Sequence, residues 1–155
     1  MMFGLSKRET ILNAIENASK NNYPTLVDAI REIDMNHLSR SEAVNEIAKA
    51  QRIYFFSVVD SIEASFRISS PNIAERLRLS MYSPSLAGLP EDEYNVDTFS
   101  KQGISGGILF LLTHYAITGK KVSQKDEKYF NLIEKYQSDL LAAAFLELNI
   151  TLPEE

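Results

Sequence analysis

The chain of 155 residues is 45% hydrophobic and 24% charged, and it contains no cysteine. This composition predicts one globular domain, residues 1–155, and the lack of cysteine excludes disulfides, thiol catalysis and cysteine-ligated metal centres. The net charge of −5 opposes the counterion-driven attraction to nucleic acid and to anionic membranes, so we expect neither as a partner.

The apolar stretches of the sequence are too short for export or membrane insertion. The N-terminal sequence MMFGLSKRE lacks the apolar core and the cleavage site of a signal peptide. The most apolar segment, residues 104–117, is shorter than the ~20 residues of a membrane-spanning helix and predicts a buried core helix instead. We therefore expect a cytoplasmic protein.

Residues 6–35 predict two helices. Ser6 and Glu9 have the S-x-x-E spacing of a capping box and start the first helix, which is expected to end at Asn21 and Asn22. Pro24 suits the first position of the second helix, because a proline there lacks only an N–H that would have no partner anyway.

A long helix follows, capped by Ser39 and Glu42 and extending to about Arg67. Around residues 53–56 it is apolar in nearly every direction, so we expect neighbouring helices to bury it on several sides. Gln51 falls inside the apolar face, where an unpaired amide would cost ~1–3 kcal/mol. It indicates either a bond to a neighbouring helix end, which we favour, or a small pocket. The predicted buried face comprises Val44, Ile47, Ala48, Phe55, Val58, Val59, Ile62 and Phe66.

The helical pattern then weakens. Pro71 starts a short helix that extends to about residue 81. Over residues 83–97 the apolar residues follow no regular spacing, and Pro84, Gly88 and Pro90 favour an irregular connection. Connections of this length without regular structure are uncommon in compact domains and are often functional or disordered.

The C-terminal part predicts two more helices. The glycines of QGISGG, residues 102–107, stand at the start of the core helix, which ends at Gly119. They indicate close helix packing, or a loosened helix start, rather than a phosphate site, because no strand precedes them. Ser123 and Asp126 cap a last long helix that closes at Asn149. We expect an all-α fold: a single irregular bundle of about six helices, two of them long, with one long acidic loop.

Few residues could carry catalysis or bind metal. His37 and His114 are the only histidines, so a three-histidine zinc site is impossible. Asp34 and His37 have the carboxylate-x-x-His spacing of di-iron bundles, but the second motif that such sites require is missing. His114 stands among apolar residues and predicts a packed, hydrogen-bonded side chain rather than a catalytic base. We expect no metal and no cofactor.

The acidic segment, residues 91–97, is the strongest functional candidate. It concentrates negative charge around one aromatic side chain, a combination typical of surfaces that steer a basic protein partner and anchor it. A solvated connection without function is the competing interpretation. The residues that we predict to contact the partner are Glu91, Asp92, Glu93, Tyr94 and Asp97.

Two classes of function remain open. In the first, the chain is a small soluble protein-binding module, an adaptor or an inhibitor of the immunity or antitoxin type, that covers a basic partner with an acidic surface; the immunity role is an analogy from size and acidity. In the second, it is an enzyme or ligand-binding domain with a pocket between helices around His114 and Gln51, with Glu63 or Arg76 as further groups. Convergence of these groups in one cleft would favour the second class.

Overall fold

The computed structural model describes residues 6–154, in which six α-helices pack as an irregular bundle. They are α1 (Lys7–Arg31), α2 (Arg40–Phe66), α3 (Pro71–Tyr82), α4 (Val96–Gln102), α5 (Gly106–Thr118) and α6 (Glu127–Leu148). No strand occurs among these residues, so the all-α prediction is confirmed. Residues 1–5, on which the expectation about export partly rested, lie outside the described part of the chain.

Helix α5 is the core of the bundle, as its apolar sequence predicts. Leu109, Leu112 and Ala116 are fully buried, and the helix contacts α1, α2, α3 and α6. The Ser105 hydroxyl accepts the N–H of Ile108, three residues along, and caps the start of the helix. Gly119 ends it in the left-handed conformation, with φ of 72°.

Helix α1 is continuous where two helices were predicted. Asn22 does not end it, because its side-chain amide donates to the Ala18 carbonyl and to the Ser61 hydroxyl of α2, both at 2.8 Å. Pro24 is exposed, so water can reach the carbonyl that proline leaves without a donor. The buried stripe keeps its phase across Pro24, and its packing on α2 outweighs the ~3 kcal/mol cost of an interior proline. This stripe comprises Ile11, Ile15, Ala18, Ser19, Leu26, Val27 and Ile30.

Helix α2 buries one face, and the prediction that it is enclosed on several sides is wrong. Phe55 is buried as predicted, but Ile53 is 54% exposed and Val44 is 47% exposed. The buried face is rotated relative to the predicted one, because it includes Ala43 and Tyr54 rather than Val44. The predicted capping box at the start of the helix is present.

Helices α5 and α6 approach each other closely at the predicted glycines. A Cβ atom added at Gly106 would lie 2.9 Å from the carbonyl oxygen of Ile133, and one at Gly107 would lie 2.3 Å from the Phe130 ring. The Glu134 carboxylate accepts the Gly107 N–H at 2.8 Å. An internal carboxylate thus already occupies the N-terminus of α5, where an anionic ligand would otherwise bind.

The connection that was predicted to be irregular from residue 83 to residue 97 contains a 3-10 helix and the first two residues of α4. A 3-10 helix, Pro84–Ala87, ends at Gly88, whose φ of 96° is left-handed. Helix α4 begins at Val96, because the Asn95 side chain accepts two backbone N–H groups of its first turn. Helix α4 was not predicted from the sequence, because a helix of 7 residues has too few turns to show a hydrophobic period.

The last helix also starts differently from the prediction. Ser123 does not cap backbone N–H groups, and a 3-10 turn, Gln124–Asp126, precedes α6. Asn149 closes α6 as predicted, in the left-handed conformation with φ of 53°.

Candidate functional site

The acidic segment forms an exposed turn that leads into α4. The Pro90 carbonyl accepts the N–H groups of Glu93 at 3.2 Å and Tyr94 at 2.9 Å, which closes the turn. The carboxylates at positions 91, 92, 93 and 97 are exposed, and none forms an ion pair with any described residue. The segment therefore presents charges that the chain itself does not neutralise.

Tyr94 attaches the acidic segment to the core. It is half-buried, and its ring centroid lies 6.2 Å from that of Phe99, which is buried. Part of the ring thus serves the internal packing of the segment. Tyr94 fixes the position of the carboxylates and offers a partner only its remaining exposed part.

Phe99 also lines a groove of about 250 Å³ between α2, α3 and α4. Tyr82 is 65% exposed and Val96 is 42% exposed at this groove, although both are large apolar side chains. Its charged residues are Asp60, Glu63 and Arg78, so acidic groups predominate. The apolar lining consists of Phe56, Val59, Leu77, Met81, Tyr82, Val96 and Phe99.

His114 lies on a different side of the molecule, in a cleft of about 660 Å³ between α1, α5 and the start of α6; we call it the His114 cleft. Its Nδ1 atom is 3.0 Å from the Lys120 carbonyl oxygen and 3.3 Å from the Thr118 hydroxyl. The ring centroid lies 5.9 Å from that of Phe110. The side chain is therefore buried, hydrogen-bonded and packed, as predicted.

Asp126 is the acidic residue of the His114 cleft. Burial raises the pKa of its carboxyl, but hydrogen bonds from Ser123 at 3.0 Å and Arg8 at 3.2 Å, together with the Coulombic interactions with Arg8 and His114, lower it more. The net effect is a lowered pKa, so this carboxylate stays ionised and paired with Arg8.

The pocket expected around both His114 and Gln51 does not form. Gln51 lines a separate cavity of about 160 Å³ bordered by α2 and α6, and the favoured bond to a helix end is not among the hydrogen bonds of the described residues. Glu63 lies in the α2–α3–α4 groove. The Arg76 guanidinium donates to the Ala116 carbonyl at 2.8 Å and caps α5. These groups do not converge.

A buried polar network that was not predicted from the sequence links three helices. Gln137 of α6 accepts the Tyr54 hydroxyl of α2 at 2.6 Å and donates to the Ser19 hydroxyl of α1 at 2.8 Å. Burial raises the pKa of Tyr54 to about 12. The sequence did contain a signal, because Gln137 lies one turn from Ile133 and in phase with the buried stripe of α6.

The described residues offer no candidate metal centre. His37 and Asp34 approach within 3.4 Å, but both side chains are exposed. Within residues 6–154 no group of three or more potential ligands from histidine, aspartate and glutamate comes together. In the same range, no helix combines the length and apolar character needed to cross a membrane.

A comparison with models of known protein families, with curated proteins and with solved structures finds no match for this chain. The fold and the two surface sites thus define a helical protein with an acidic, partly apolar groove on one side and the His114 cleft on another.

Proposed function

We propose that this chain is a small protein-binding module whose acidic segment and α2–α3–α4 groove together receive a basic, amphipathic helix of a partner protein. One observation carries the proposal: the charged segment and the apolar groove are continuous. Tyr94 packs on Phe99, and Phe99 lines the groove. A partner helix could therefore contact carboxylates and apolar side chains at the same time.

The apolar side chains of the groove support a macromolecular partner. Tyr82 of α3 and Val96 of α4 both line the groove and expose large apolar side chains. Burying such side chains in an interface is favourable. Aromatic residues at the centre of interfaces often carry much of the binding energy. We therefore assign Tyr82, rather than Tyr94, the main anchoring role.

The charges support a basic partner. Asp60 and Glu63 line the groove, and Arg78 is the only basic residue among its described lining residues. The exposed carboxylates at positions 91–93 precede Tyr94, which packs on Phe99, and Asp97 follows the lining residue Val96. An amphipathic helix binds in a groove through apolar residues spaced about one turn apart. Lysine or arginine residues flanking that stripe would meet these carboxylates, and the exposed ones would speed encounter.

The catalytic alternative lacks a comparable observation. An enzyme needs several functional groups in one cleft, whereas His114, Gln51 and Glu63 line three different depressions. A scattered arrangement with a contiguous acidic surface fits an inhibitor, an immunity or antitoxin-type protein, or an adaptor. These roles share the same chemistry, namely the covering of a basic surface.

The test is affinity capture from the source cell with matched variants of the immobilised protein. The groove variant carries Tyr82→Ser and Val96→Ser. Its control carries Ile68→Ser and Leu146→Ser, which remove two exposed apolar side chains that do not line the groove. We expect a basic protein to be retained by the wild type and the control and to be lost from the groove variant.

A second pair of variants tests the charges. Lysine at positions 91, 92 and 93 should reduce retention of the same protein. Lysine at positions 139, 147 and 154, all exposed, changes the net charge equally and should leave retention intact. Retention by all variants, or equal loss from a variant and its control, would contradict the proposal.

A further inference from the structure

The His114 cleft carries an excess of positive charge in an otherwise acidic chain. Asp126 is the one carboxylate among its described lining residues, and Arg8 neutralises it at 3.2 Å. The four lysines of the cleft form no ion pair with any described residue. Because like charges gathered in one concavity repel each other, an anion bound there would be stabilised. These lysines are Lys7, Lys120, Lys121 and Lys125.

The floor of the cleft offers a free hydrogen-bonding atom. The Nδ1 atom of His114 lies 3.0 Å from the Lys120 carbonyl oxygen and can donate to it, which leaves Nε2 as the second polar atom of the ring. Nε2 has no hydrogen-bond partner among the described residues. Nε2 is also not fully buried, because the one fully buried side-chain polar atom without a partner in that range is Thr113 Oγ1. Nε2 is therefore accessible. It can bond a ligand.

One wall of the cleft is apolar and aromatic. Ile11, Phe110 and Tyr129 line it, and the ring centroids of Phe110 and Tyr129 are 6.2 Å apart. The Arg8 guanidinium lies 4.9 Å from the Tyr129 ring centroid, between this wall and Asp126. Ile11 and Phe110 are only 3% and 2% exposed, so the half-buried Tyr129 supplies the apolar surface that a simple inorganic anion would leave uncovered. A ligand with an apolar or aromatic body would cover it.

We propose that the His114 cleft binds a small organic phosphate, independently of the protein-binding groove. The lysines would hold the phosphate, which carries up to two charges and three acceptor oxygens, and Tyr129 would pack against the organic body. The volume of about 660 Å³ lies in the range of small-molecule sites. A nucleic acid strand would extend beyond the cleft onto the surface of a chain with a net charge of −5.

The first test uses phenyl phosphate as the probe and the two histidines as reporters. In a titration of the wild-type protein followed by NMR of the imidazole groups, the His114 signals should shift in a saturable manner. His37 lies outside the cleft and serves as the internal control, so its signals should stay in place. Equal shifts of both histidines, or none, would overturn the proposal.

Matched lysine variants test the phosphate contacts by calorimetry. Lys7→Ala with Lys125→Ala should weaken phenyl phosphate binding about tenfold or more, because two charged contacts to the phosphate are lost. The control, Lys49→Ala with Lys135→Ala, removes the same charge from exposed residues that pair within their own helices. Equal affinity in both variants would overturn the assignment.

Other probes separate the possible sources of the phosphate. Inorganic phosphate should bind more weakly than phenyl phosphate, because it does not cover the aromatic wall. Equal affinity would show that an organic body contributes nothing to binding and would overturn that part of the proposal. Vesicles that contain an anionic phospholipid and a short single-stranded oligonucleotide serve as further probes. If the protein binds either of them but not phenyl phosphate, the proposal of a small soluble ligand is overturned.

Discussion

The buried amide of Gln137 gives the sharpest prediction for stability. The residue is 4% exposed, and its amide bonds the hydroxyls of Tyr54 and Ser19. Replacement by leucine keeps a similar volume but leaves both hydroxyls without this partner. An unpaired buried polar group costs ~1–3 kcal/mol, and Ser19 can turn its hydroxyl toward a carbonyl of its own helix. We therefore expect Gln137→Leu to lower the free energy of unfolding by ~2–4 kcal/mol.

The assay is chemical and thermal denaturation followed by circular dichroism. For a chain of this size the expected loss corresponds to a fall in Tm of roughly 5–12 °C. Tyr54→Phe removes the hydroxyl that Gln137 accepts, so the double variant should lose at least ~1 kcal/mol less than the sum of the two single losses. A Gln137→Leu protein that melts with the wild type, or strictly additive losses, would refute the role of this network.

Three further predictions follow from the packing, the pKa of Tyr54 and the acidic segment. Gly106→Ala should lower stability by ~1–3 kcal/mol in thermal melts, because its Cβ would lie 2.9 Å from the Ile133 carbonyl oxygen; an unchanged Tm would show that α5 and α6 can separate freely. Burial raises the pKa of Tyr54 to about 12, so the stability that depends on its neutral form is complete below pH ~10 and is lost as the pH rises toward 12. In urea titrations, Tyr54→Phe should lose less free energy of unfolding over that pH range than the wild type does. An identical dependence of stability on pH in the two proteins would contradict this. Lysine at residues 91–93 should slow association with a captured basic partner and reduce its salt dependence while Tm stays nearly unchanged; an unchanged association rate would mean that recognition lies elsewhere.

The sequence by itself determined the features that depend on neighbouring residues. The Ser39 capping box and the left-handed end of α5 at Gly119 were predicted correctly. Each rests on a local requirement: a side chain that reaches an N–H three residues away, or a backbone position whose positive φ favours glycine. The burial of α5 followed from its composition, because an apolar helix too short to span a membrane must be covered by other helices.

The tertiary structure decided whatever depends on residues far apart in the chain. Pro24 does not end α1, because packing against α2 supplies more free energy than the local penalty. Lys7 and Lys125 line the same His114 cleft, although no spacing rule connects them. In the same way, the continuity of the acidic segment with an apolar groove exists only because Phe99 contacts both. Local propensity cannot encode such proximity, since it arises when helices distant in sequence pack on one another.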